Sequence, residues 1–62
     1  MQKLLRLPQV IERTSVRRST IYEMMRAGTF PKPVKLNQRS NGWLEAEISE
    51  WLLSRIAKRE AA

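Results

Sequence analysis

Arg18, Tyr22 and Arg26 recur at intervals of four, and Arg17 stands beside the first of them. On a helix that spacing stacks the three side chains into one ridge, with Ser19 and Glu23 alongside. A guanidinium is a planar fork of donors that fits phosphates and guanine edges. A tyrosine between two such groups can stack on a base or sugar, or hydrogen-bond a phosphate. Arg17 and Arg18 suit one guanine edge and one phosphate, in an order the residues leave open. Arg26 reads as a phosphate contact, the plain alternative being a cation that complements a helix C-terminus. Further along, Lys35, Gln38, Arg39 and Ser40 form a second polar cluster. Cationic and polar groups of this kind hold phosphates without reading sequence.

Other chemistries are excluded by what the chain lacks. It has no cysteine, histidine or aspartate, and its carboxylates are six glutamates. Disulfides, zinc–thiolate sites, a Ser-His-Asp triad and a histidine base are all ruled out. The expectation is a protein that is not an enzyme and needs no cofactor, metal or small-molecule substrate. At 62 residues the chain has room for one small core.

Charge sharpens the reading. Twelve basic residues face six acidic ones, for a net +6. Residues 1–42 carry nine basic and two acidic side chains, net +7, and residues 43–62 carry three and four, net −1. A surplus confined to one stretch is the footprint of a polyanion binder. The bland alternative is a solvated face that keeps a small protein soluble. No apolar run reaches the length of a secretory signal or a bilayer span, so a cytoplasmic protein with no membrane partner is expected.

The elements that position these groups follow from pattern. Residues 1–6 form an arm or short strand. Leu7, Val10 and Ile11 fall at helical spacing, and Pro8 suits a first turn, giving a helix near Pro8 to Arg13. Thr14-Ser15-Val16 breaks it. A second helix, about 17–27, has Ile21, Met24 and Met25 on its inner face and ends at Gly28 as a left-handed cap. Its start is open between Arg17 and a capping box of Thr20 with Glu23. Phe30-Pro31-Lys32-Pro33 is extended. Val34 to Leu36 alternates as a half-buried strand and Asn41-Gly42 signals a turn, so a basic-tipped hairpin over about 34–44 is expected. Leu44, Ile48, Trp51, Leu52 and Ile56 mark an amphipathic helix from Glu45 to Lys58, and 60–62 reads as a frayed tail. Trp43 and Trp51 could serve as base-stacking platforms, but a core this small needs their area.

Together these elements read as a mainly α fold with a small β-hairpin. It is a winged helix-turn-helix of three helices and a two-stranded wing, forming a single domain over residues 1–62. The second helix would enter a major groove and the wing would lie on the adjacent backbone.

The chain also resembles a known family. Leu7-Pro-Gln-Val-Ile-Glu-Arg-Thr14, Arg18-Ser-Thr-Ile-Tyr22, Gly28-Thr-Phe-Pro-Lys-Pro-Val-Lys-Leu36, Gly42-Trp-Leu-Glu-Ala-Glu-Ile48 and Trp51-Leu52 are similar in order and spacing to the AlpA-type prophage regulators. These are relatives of phage excisionases and MerR-like winged helices. The resemblance implies a sequence-specific, double-stranded DNA-binding transcriptional regulator, with contacts at Arg18, Ser19, Thr20, Tyr22 and Arg39. Ser15 stands where the family usually has Gly, and Arg17 where it has a Ser cap. Each departure costs about 1 kcal/mol if the Gly needs positive φ and the cap is lost. Two other functions fit the same residues. One is an excisionase-like factor that bends DNA. The other is a protein-interaction module using the apolar stripe of the last helix, which would require Trp51 and Leu52 to be exposed. A lone module has a small footprint, so selectivity implies a homodimer or cooperative assembly on DNA.

Overall fold

The computed structural model describes residues 3–61. The order is β1 (Leu4–Leu5), α1 (Leu7–Thr14), α2 (Arg18–Ala27), β2 (Val34–Lys35), β3 (Asn41–Leu44) and α3 (Glu45–Ala61). Three helices and a small antiparallel sheet make the winged helix-turn-helix expected from the pattern. The sheet has a third member, because β1 pairs with β3 on the side opposite β2.

α1 starts under two local constraints. Pro8 is pre-set for the first turn, and Gln9 Oε1 accepts the Arg6 N–H at 2.9 Å. It ends at Ser15, whose φ of 58° is left-handed. The Ser15 N–H donates to the Ile11 carbonyl at 2.8 Å. Thr14 ties the turn: Oγ1 donates to the Val10 carbonyl at 2.8 Å and accepts the Val16 N–H at 3.3 Å.

α2 begins at Arg18, with Arg17 as an extended N-cap that offers no side-chain acceptor. The capping box of Thr20 with Glu23 does not form. Thr20 is already inside the first turn, because half-buried Val16 packs on the core and sets the helix start upstream. The helix closes as a Schellman motif: Thr29 N–H donates to the Met24 carbonyl at 2.9 Å and Gly28 N–H to that of Met25 at 3.2 Å. Gly28 has φ 79°, the left-handed conformation that glycine adopts at no steric cost.

The hairpin departs from expectation in two ways. Gly42 lies in the second strand opposite Val34, as the expected pairing of Val34–Leu36 with Gly42–Leu44 has it, but Asn41 joins it in β3 opposite Lys35, so the turn spans residues 37–40. Gly42 meets a packing need: a Cβ there would sit 3.3 Å from Leu36 Cδ1 and 3.4 Å from Leu4 Cβ. Glycine thus leaves room for the close approach of β1 and the Leu36 side chain. Leu36 lies just beyond β2, and both it and Val34 are 43% exposed. The strand is not half-buried, because these side chains share the outer face of a sheet covered on one side only.

The core is Leu5, Val10, Ile21, Phe30, Trp43 and Ile48. Leu5 and Trp43 are directly paired across β1 and β3. Trp43 is in the core and Trp51, half-buried, packs against it, and each indole also captures a backbone carbonyl. Trp43 Nε1 donates to Pro31 at 3.0 Å, and Trp51 Nε1 to Thr29 at 2.8 Å. Phe30, between those two carbonyls, meets Trp51 edge-on at 4.8 Å between ring centroids.

α3 runs through Ala61, so Glu60 and Ala61 are helical and not a frayed tail; Ala62, and Met1 and Gln2 of the expected arm, lie outside the described residues. The Glu45 N–H is bonded to the Lys3 carbonyl at 2.9 Å, and its carboxylate meets Arg13 at 2.8 Å. Ile48 is buried, and Trp51 and Leu52 pack against the core. Leu53 and Ile56 are exposed, because the helix outruns the core beneath it.

Candidate nucleic-acid interface

α2 turns Ile21 fully inward and packs Met24 and Met25 against the core. The opposite flank is left to solvent. Arg17, Arg18, Ser19, Thr20, Tyr22 and Arg26 are all exposed. The Arg18 guanidinium carbon lies 5.8 Å from the centre of the Tyr22 ring, within cation–π range. That contact sets two members of the ridge side by side.

The hairpin tip is shaped by its own backbone. Leu36 and Asn37 N–H groups both donate to the Ser40 carbonyl, at 2.9 and 3.3 Å. Asn37 Oδ1 accepts the Arg39 N–H at 2.8 Å, which curls the apex. Gln38 and Arg39 stand exposed there, Ser40 is half-buried, and Lys35 is exposed on β2.

Two depressions organise these groups. A cleft of about 250 Å³ between α1, α2 and the hairpin is lined by Arg6, Leu7, Pro8, Tyr22, Arg39, Asn41 and Trp43. A wider groove of about 580 Å³ is lined by Tyr22, Met25, Arg26, Lys32 and Pro33. Tyr22 is the wall common to both. Of the ridge, Tyr22 shares the smaller cleft with Arg39 of the hairpin tip, and Arg26 lines the wider groove. Arg17, Arg18, Ser19, Thr20, Lys35, Gln38 and Ser40 line neither depression.

Two cations in these walls went unnoticed in the sequence. Arg6 reaches the hairpin, with Nη2 3.4 Å from Ser40 Oγ and Nη1 3.5 Å from the Asn41 carbonyl. Lys32 lines the wider groove together with Arg26. Neither has a local signature, since strand pairing brings Arg6 to the hairpin and indole-held carbonyls shape the segment carrying Lys32.

Ion pairing divides the cations. Among the described residues the pairs are Lys3 and Arg13 with Glu45, and Arg59 with Glu60. Arg6, Arg17, Arg18, Arg26, Lys32, Lys35 and Arg39 are in none of them, nor are Arg55 and Lys58 of α3. Among the described residues no cluster of acidic side chains could hold a metal ion, and no helix is long and apolar enough to cross a membrane.

Residues 3–56 match the family described as prophage CP4-57 regulatory protein (AlpA). The DNA-binding transcriptional activator AlpA of Escherichia coli (strain K12) is 46% identical over 59 residues, covering 86% of this chain and 84% of that protein. An uncharacterised protein of Enterobacteria phage P4 is 41% identical over 59 residues, covering 95% of this chain and 67% of that protein.

Proposed function

The chain belongs to the AlpA family of prophage regulatory proteins, and on that premise we propose that it binds double-stranded DNA sequence-specifically as a transcriptional regulator. Residues 1–62 act as one DNA-binding domain. α2 lies in the major groove with Arg18, Ser19, Thr20 and Tyr22 toward the bases. Arg17 and Arg26 take flanking phosphates. The wing lies on the adjacent backbone through Lys35, Gln38, Arg39 and Ser40. The observation that carries this reading is the shared cleft, in which Tyr22 of α2 and Arg39 of the wing tip line one opening. A ridge and a wing facing opposite sides could not engage one duplex. Trp51 and Leu52 pack inward, which speaks against α3 as a docking stripe. The protein works in the cytoplasm on nucleoid DNA, and its small footprint makes it act as a homodimer or a cooperative array.

The test is titration against duplexes selected from a random pool, at several salt concentrations. With about five phosphate contacts, log K falls against log salt with a slope near −4 to −5. The spacing of selected half-sites reports stoichiometry. Salt-insensitive binding, or no preference among duplexes, would overturn the reading.

A further inference from the structure

We propose that the cleft between the start of α1, Tyr22 and the wing is a seat for one backbone phosphate, with Arg6 and Arg39 as its two cationic walls. This rests on the DNA-binding reading and adds to it a contact residue, Arg6, outside both the recognition helix and the wing.

The cleft has the chemistry of an anion site. Two guanidinium groups line it, neither is ion-paired among the described residues, and no carboxylate lines it. Glu12 and Glu23 are the only carboxylates among residues 1–42, and neither reaches the opening. Asn41, Tyr22 and Trp43 complete its lining with Leu7 and Pro8.

Arg6 is held ready for this task. Its backbone N–H is fixed by Gln9 and its carbonyl by the Val10 N–H at 3.0 Å, so the residue is anchored where β1 meets α1. Its two terminal nitrogens rest on Ser40 Oγ and the Asn41 carbonyl at 3.4 and 3.5 Å. These are long, neutral-acceptor contacts at the outer limit of a hydrogen bond. A phosphate oxygen is a charged acceptor and gives shorter, stronger bonds to the same nitrogens. Arg6 therefore spans the wing in the free protein and turns to phosphate in the complex, joining the wing to the backbone it lies on.

The experiment compares the 62-residue chain with its Arg6→Ala and Arg6→Lys variants on the tightest duplex selected by the unaltered protein and on a random duplex. Arg6→Ala should bind both duplexes roughly fivefold to tenfold more weakly, and its salt slope should fall by about one. Arg6→Lys should restore the slope and only part of the affinity. Replacing backbone phosphates singly with methylphosphonates should reveal one position that weakens the unaltered protein but not Arg6→Ala. Amide exchange at Ser40 and Asn41 in the free variants separates a contact from a mere latch. If Arg6→Ala loses affinity with an unchanged slope and faster exchange, Arg6 only braces the wing and the inference is overturned. Unaltered binding by Arg6→Ala also overturns it while leaving the DNA-binding reading intact. If the unaltered protein binds no duplex, the DNA-binding reading fails and this inference fails with it.

Discussion

Trp43 and Arg39 stand four residues apart on one hairpin, in opposite surroundings. Trp43 is 2% exposed, is paired with Leu5, and has its indole N–H on the Pro31 carbonyl. Arg39 is held only by its backbone, and its guanidinium makes no hydrogen bond or ion pair among the described residues. The same contrast crosses α2, where Ile21 is fully buried and Tyr22, its neighbour, is 37% exposed. A small chain cannot spread both tasks over many residues. Packing energy concentrates at the base of each element and binding chemistry at its rim, so substitutions in the two regions should report on different properties.

The most severe break of that contrast is at the base. Trp43→Ala should cost about 3–5 kcal/mol, most of the stability available to a chain of this size, and circular dichroism should show the cooperative thermal transition lost. A cooperatively folded Trp43→Ala would mean the base carries less than its burial implies. At the rim, Arg18→Ala should weaken the selected duplex by about 1–3 kcal/mol and relax base preference, with thermal stability unchanged within about 0.5 kcal/mol. Arg39→Ala should weaken selected and random duplexes alike, by about 1 kcal/mol, and lower the salt slope by about one. Equal effects of the two arginine substitutions on selected and random DNA would erase the division between reading and clamping. The smallest effect lies between base and rim. Ser15→Gly relieves a left-handed serine, so it should stabilise by up to about 1 kcal/mol, or roughly 4–8 °C, with affinity unchanged.

Local chemistry was legible in the sequence, and tertiary constraint was not. The spacing of Arg18, Tyr22 and Arg26 located the exposed ridge, because helical period alone decides which residues share a flank. Gly28 marked the end of α2, and the Ser-for-Gly departure at Ser15 pointed to the strained turn. By contrast, Asn41-Gly42 carries a strong turn signal, yet both residues pair in β3, with Gly42 under Leu4 and Leu36. Thr20 with Glu23 matches a capping box, yet the seat of Val16 starts the helix earlier. Val34 and Leu36 alternate like a half-buried strand, but both remain 43% exposed on the outer face of the sheet. Arg6 was invisible for the same reason, since its distance from the wing depends on β1 pairing with β3.

The two indole N–H groups grip carbonyls in the same short crossing, Thr29 and Pro31, which connects α2 to the hairpin. The chain holds no other tryptophan. Its intrinsic ultraviolet emission is therefore a built-in gauge of that crossing, and any strain passed between reading helix and clamp should register as a change in colour or intensity without an added dye.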